Sequence, residues 1–298
     1  MELRQIEAFL AVAEELHFGR AAQRLRMAQS PLSQTIRKLE KELGSDLFER
    51  NTRSVALTTA GVAFLPHARR IIDELDLARR SAVTEPGTFY GRLSIGFSGA
   101  LNHRTLPPLT RALRNRYPSL DLTLTGGLLT QDALQQLRNG SLDLAFVGLP
   151  LDAGALATRP IALEQLGATV PVDHPLAERP AIGLAELSDD GFVTMRAAQG
   201  STLREGIFAA CGAAGFRPRV AQEVTDPYTA LSLVAGGVGV SLMPASVASI
   251  MPGGTVFIPL TGTAPLLESG LAWNPAGISP ALALALAVAE EVLPTPAG

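Results

Sequence analysis

Cysteine is nearly absent. Cys211 stands alone among 298 residues, so no internal disulfide and no cysteine-rich metal cluster can form. Histidine is as sparse: His17, His67, His103 and His174 are scattered, and no two have metal-ligand spacing. Long apolar runs are missing too, since the longest, Ala281 to Ala289, is about half of what spans a bilayer. The start of the chain sets Glu2, Arg4 and Glu7 among its first apolar residues and has no basic-then-apolar secretion signal. The expectation is a cytoplasmic protein with no membrane partner and no cofactor. Lysine occurs only as Lys38 and Lys41, so any cationic site further on must use arginine or histidine.

What is present is an apolar fraction of 47%, ample for real cores, in a chain long enough for two or three domains. The net charge of -3 is unevenly spread. Residues 1 to 80 carry 13 basic against 11 acidic side chains, the remainder 12 against 17, and 19 to 53 alone carry 8 against 4. A modestly positive face on an acidic body points to a polyanion partner for one end only, although a solvated helix face has the same signature.

Within that end, Leu3, Ile6, Phe9, Leu10 and Ala13 recur at helical spacing and predict a first helix ending near Glu15. A break at 17–19 precedes a short helix from Arg20 to Leu25, whose Ala21 and Ala22 admit close helix packing. Ser30 is the expected N-cap and Pro31 the first residue of a third helix, which runs to about Leu43 before Gly44. Leu32, Ile36, Leu39 and Leu43 form its buried stripe and leave Ser33, Gln34, Arg37, Lys38 and Lys41 elsewhere. Short hydrogen-bonding groups near the helix start with cations further on suit a DNA major groove. A plain helical bundle with a polar surface is the alternative. Residues 47–50 and 55–57 predict a hairpin, with Arg50 and Arg53 placed to reach phosphate or the minor groove. Thr58 or Thr59 caps a helix to about Ala82, where Leu65, Ala68, Ile72, Leu75 and Ala82 mark a coiled-coil seam and Pro66 a bend or a true start.

From Arg92 strands and helices alternate, which predicts parallel sheets with helices on both faces, in two lobes joined by crossovers near 161 and 265. Open sheets of this kind bind ligands at strand carboxyl ends. The residues there are Ser98-Gly99-Ala100, Gly126, Val147-Gly148, Ser201-Thr202 and Thr225-Asp226, whose hydroxyls and free N–H groups suit a small organic anion. Taken singly, Ser201, Thr202 and Asp226 read as ordinary helix caps. Arg104, Arg196, Arg204 and His103 are candidate cations. Gly96-Phe97-Ser98-Gly99-Ala100 resembles a hydrolase nucleophile turn, but its last glycine is replaced by Ala100, and no histidine follows His174.

The ordered strings Leu3-Arg4-Gln5-Ile6-Glu7-Ala8-Phe9, His17-Phe18-Gly19-Arg20-Ala21-Ala22, Ala28-Gln29-Ser30-Pro31-Leu32-Ser33, Leu39-Glu40-Lys41-Glu42-Leu43-Gly44 and Leu47-Phe48-Glu49-Arg50 closely resemble the LysR-type transcriptional regulators. That resemblance implies an α+β multidomain chain. Its parts are a winged helix-turn-helix over 1–58, a linker and dimerisation helix with its hinge over 59–90, and an effector domain like the periplasmic binding proteins. The effector lobes are expected at 91–161 with 266–298 and at 162–265. By the same resemblance Gln29, Ser30, Pro31, Ser33, Gln34, Arg37, Arg50 and Arg53 face DNA, with Arg20 and Lys38 beside them, and the strand-end residues converge on one effector cleft. The implied partners are promoter DNA, further copies in a dimer of dimers, and RNA polymerase. Residues 17–33 are most similar to the branch controlling aromatic-compound degradation, which implies a small aromatic acid or dicarboxylate as effector. A serine hydrolase using Ser98, or a solute-binding module without regulatory response, are the competing functions.

Overall fold

In the computed structural model, which describes residues 1–50, 54–81, 89–197 and 200–296, the chain divides into two compact units: 1–92 with 139–141, and 93–138 with 142–298. The first contains α1 (Leu3–Glu15), α2 (Phe18–Arg24), α3 (Gln29–Leu43), β1 (Phe48–Arg50), β2 (Val55–Leu57) and α4 (Thr59–Ser81). Phe9, Leu32, Ile36, Leu39 and Leu47 are sealed in its core with Ala21 and Ala22. The Phe9 ring lies 5.3 Å from that of Phe48 and 5.0 Å from that of Phe64, centroid to centroid, the range of favourable edge contacts.

Several local expectations shift. What reads as a break at 17–19 is a cap: His17 Nδ1 accepts from Gly19 N at 3.0 Å and Arg20 N at 3.2 Å, so α2 starts at Phe18. Arg26 takes a left-handed φ of 54°, and α3 then begins at Gln29 with Ala28 as N-cap. Ser30 is therefore not the cap. Pro31 is tolerated because first-turn N–H groups have no intrahelical partner. Gly44, at φ 70°, does end the helix, but Leu43 is 39% exposed rather than buried. The Thr58 hydroxyl accepts from Gly61 N at 3.0 Å and donates to the Asp46 carbonyl at 2.7 Å, capping α4 and tying it to the turn before β1. α4 runs through Pro66. Of the residues expected on an intermolecular seam, Ala68 is buried in the core of its own unit and Leu65 and Ile72 pack partly against it, and Ala82 lies outside the described residues. Val62 and Ile71 are exposed on α4.

The second unit carries β3 (Gly91–Gly96), α5 (Leu106–Arg116), β4 (Leu120–Thr125), α6 (Thr130–Arg138), β5 (Leu144–Leu149), β6 (Ala157–Pro171), β7 (Gly191–Met195), α7 (Thr202–Ala213), β8 (Arg219–Val224), α8 (Pro227–Ala235), β9 (Ser241–Pro244), β10 (Thr255–Ile258), β11 (Leu266–Trp273) and α9 (Pro280–Val292). One lobe gathers around Leu134, Leu137, Val147 and Ala272, the other around Phe192, Ile207, Leu231 and Leu242. The sheets are not purely parallel. β3 pairs β5 in parallel and β7 pairs β8 in parallel, but the crossovers are themselves strands. β6 and β11 run antiparallel, and the sheet order is β10-β6-β11-β5-β3-β4 with β9 also on β6. Pro160 falls where the β6 register slips opposite Ser269 and Gly270, a bulge that accommodates its missing N–H. The apolar run at 281–289 is inside α9, capped by Ser279, which accepts from Leu282 N at 3.2 Å. Among the described residues no helix is long and apolar enough to cross a membrane.

Candidate functional site

Two places bring functional side chains together. On α3 the buried residues Leu32, Ile36 and Leu39 occupy one face. Ser30, Ser33, Gln34, Arg37 and Lys41 recur at three and four residue steps and share the other. All but the half-buried Ser33 are exposed, as are Gln29 and Pro31. Gln34 and Arg37 make no hydrogen bond or ion pair with the described residues, so their donors are available to an external partner. Two predicted contacts are otherwise engaged. Arg20 Nε pairs with Glu15 Oε2 at 3.1 Å, and Lys38 Nζ pairs with Glu2 at 2.6 Å. That hydrogen bond and its Coulomb attraction lower the Glu2 pKa and raise that of Lys38. Arg50 ends β1, in register with Val55, and Arg53 lies outside the described residues.

The hairpin is seated by a residue that the periodicity does not reveal. Glu40 is 7% exposed, and its Oε1 accepts from Leu47 N at 3.0 Å and Phe48 N at 3.3 Å. A charge inside the buried stripe of α3 is the one signal that could have exposed it. The carboxylate satisfies two buried N–H groups where the chain enters β1 and so fixes the hairpin to α3.

The second place is a cleft between the lobes that is partly open to solvent. Ser98, Val147, Gly148, Ser201 and Thr202 line it, as the strand-end reasoning anticipates. Ser201 Oγ caps α7 by accepting from Arg204 N at 3.3 Å. Gly148 is required, because a Cβ there would collide with the Thr202 hydroxyl. Its N–H donates to Thr130 Oγ1 at 3.3 Å, which brings the starts of α6 and α7 to the same wall. Leu101, Phe146, Leu203 and Leu267 supply apolar surface.

Five expected residues stand outside this lining. Gly99 and Ala100 lead into a 3₁₀ turn, Ala100–Asn102. Gly126 faces the ring of Phe97. Thr225 precedes Asp226, whose Oδ1 accepts from Thr229 N at 2.9 Å and is spent capping α8. The cations are elsewhere too: Arg204 is bound to Glu223 at 2.8 Å, to Thr194 and to the Met195 carbonyl, Arg104 and Arg196 are exposed, and His103 meets the Ala100 carbonyl and Ser249. Sequence reasoning missed Asn102, Thr130, Glu164, Glu268 and Ser269, all of which line the cleft. The hydroxyl of Ser98 donates to Asn102 Oδ1 at 3.0 Å, an amide oxygen that cannot act as the general base of a hydrolase.

Two family profiles match the chain: the bacterial regulatory helix-turn-helix protein, lysR family, over residues 3–62, and the LysR substrate binding domain over 87–294. The chain is similar to the HTH-type transcriptional regulator ShiR of Corynebacterium glutamicum (strain R), 48% identical over 273 residues that cover 92% of each chain. It is also similar to the HTH-type transcriptional regulator AlsR of Bacillus subtilis (strain 168), 37% identical over 250 residues, 83% of this chain and 81% of the relative. Among solved structures it resembles full-length CbnR complexed with its target DNA, with a TM-score of 0.77 at 30% identity, covering 98% of this chain and 100% of that one.

Proposed function

Because the chain belongs to the LysR family, DNA-binding transcriptional regulators rather than enzymes, we propose that α3 reads promoter DNA through Gln29, Ser30, Pro31, Ser33, Gln34 and Arg37, and that a small organic acid in the cleft controls the response. The mostly exposed polar stripe on α3, whose Gln34 and Arg37 have no partner among the described residues, lies opposite a sealed apolar face and carries this reading. Ser33 and Gln34 suit base edges, Arg37 suits guanine or phosphate, and Arg50 and Arg53 suit flanking backbone. Self-association, as a dimer of dimers, presents paired recognition helices to the two halves of an operator. The exposed Val62 and Ile71 of α4 offer apolar surface for it. The regulator acts in the cytoplasm, with RNA polymerase as its downstream partner.

An acid bound in the cleft meets the starts of α6 and α7, whose first-turn N–H groups and hydroxyls suit its carboxylate. Gel shifts on the promoter of the neighbouring, divergently transcribed gene and on a scrambled copy test the DNA reading. Ser33→Ala or Arg37→Ala should cost about 1–3 kcal/mol on the matched site and relax specificity, whereas Arg53→Ala should weaken both alike. Equal losses on both DNAs for all three variants would remove the assignment. A ligand that occupies the cleft yet changes neither footprint, DNA bend nor transcription would leave a solute-binding module without regulatory response.

A further inference from the structure

The turn that leads from α2 into α3 holds an arginine where glycine would fit. The N–H of Arg26 donates to the Gln23 carbonyl at 3.0 Å and that of Met27 to the Ala22 carbonyl at 2.9 Å. This pair of bonds closes α2 and requires a left-handed residue at position 26, where Arg26 has a φ of 54°. An L side chain in that state crowds the carbonyl that follows, so glycine is favoured, and Gly44 meets the same demand at the end of α3 with a φ of 70°. Among the described residues only Leu16, at the end of α1, is also left-handed without being glycine. Both backbone bonds of the turn would form equally well with glycine at 26. The arginine therefore owes its place to its side chain, and strain of this kind gathers where a side chain is used.

The charges around it point to the use. Three arginines lie on α2 and its turn. Arg20 pairs with Glu15 at 3.1 Å, and Arg24 with Glu14 at 2.5 Å and Glu15 at 3.7 Å, so α1 neutralises both. Arg26 is exposed and its guanidinium makes no hydrogen bond or ion pair with the described residues. In a helix-turn-helix the first helix crosses the DNA backbone and the start of the second enters the major groove. The turn between them passes the rim of the groove, where the acceptors are phosphate oxygens and not base edges.

We propose that Arg26 contacts a backbone phosphate beside the bases met by Gln29 and Ser30, and supplies the anchoring charge that Arg20 and Arg24 have given up to α1. This rests on α3 being the helix that reads DNA. Gel shifts of the full chain over a salt series, on the matched promoter and its scrambled copy, test it. Arg26→Ala and Arg26→Gly should each weaken both DNAs alike, by about tenfold at low salt. Each should also lower the slope of log affinity against log salt by about 0.9 per bound recognition helix, and Arg26→Lys should keep the parent slope. Calorimetry separates this role from a structural one. Arg26→Gly should melt roughly 4–8 °C above Arg26→Ala, because only alanine keeps a Cβ in the left-handed turn, yet the two should bind DNA equally. A parent salt slope in both variants would overturn the proposal, and so would a loss confined to the matched promoter, which would make Arg26 a base reader. Parent affinity and slope with transcription lost would assign the side chain to a protein partner instead and overturn it too. Arg37→Ala, measured alongside, tells the two readings apart. If it relaxes specificity while the Arg26 variants match the parent, the phosphate contact fails and the reading of α3 stands; if neither residue affects DNA, both fall.

Discussion

Glu40 should be the residue on which the DNA-binding unit is most sensitive to a single polar substitution. Its carboxylate is the acceptor for the N–H groups of Leu47 and Phe48, residues only 1% and 4% exposed. Phe48 in turn packs against Phe9 and Phe18, with centroids 5.3 and 6.0 Å away. Glu40→Ala strands both donors in a place that water cannot easily reach. Hydrogen bonds to a charged group contribute about 1.5–3 kcal/mol each, and release of a desolvated carboxylate offsets part of the loss. The expected net destabilisation is about 2–4 kcal/mol. Glu40→Gln keeps an acceptor oxygen in place and should lose only about 1 kcal/mol. For a unit of this size each kcal/mol moves the midpoint by roughly 4–8 °C. Scanning calorimetry of the full chain should therefore show one transition falling by about 8–32 °C in the alanine variant, with the other unmoved. Operator affinity should fall below that transition as well, because the hairpin is no longer fixed to α3. Alanine and glutamine variants of equal stability, or an alanine variant within about 0.5 kcal/mol of the parent, would refute the anchoring role.

The ion pair between Glu2 and Lys38 predicts an electrostatic effect on DNA binding rather than on folding, since both groups are fully exposed. The lowered pKa of Glu2, caused by its hydrogen bond and attraction to Lys38, means the pair persists as pH falls from neutral and is lost only below the ordinary carboxylate range. Glu2→Gln frees Lys38 for phosphate and should steepen the salt dependence of operator binding by about 0.9 in log–log slope; an unchanged slope would mean Lys38 does not reach the backbone. Cys211 predicts inertness. It is fully buried, and burial pushes its pKa up to about 11, so the native thiol should resist a disulfide reagent at pH 8 and react once guanidinium unfolds the chain. Rapid labelling of the native protein would contradict this.

Elements with a regular apolar period were legible from residue types alone. α1 ends at Glu15, β2 spans Val55–Leu57 and α9 spans Pro280–Val292, as their spacing predicts. The failures have physical causes. Ser30 has the chemistry of a cap, but the left-handed Arg26 turns the chain early enough for α3 to start before it. His17 caps α2 through a ring nitrogen, a use that cap preferences do not cover. Leu65, Ala68 and Ile72 have a spacing that serves both a coiled-coil seam and packing against their own core; sequence cannot tell one partner from the other, and the seam stays a proposal. β6 hides its first half because Pro160 breaks the pattern at a bulge.

That hidden strand explains why half of the cleft was invisible. The strand-end rule finds residues on β3, β5 and the helices that follow, but Glu164, Glu268 and Ser269 belong to the crossovers, which were read as connections rather than as walls. Their position also gives the cleft a means of sensing what fills it. Glu164 is held to Ser246 beside β9, in one lobe, while Glu268 pairs in register with Leu149 of β5, in the other. Both strands run from lobe to lobe. A ligand whose contacts come from both lobes makes its full set at only one relative setting of the two, so its affinity differs between settings. That difference in affinity is the most by which any ligand can shift the balance between them.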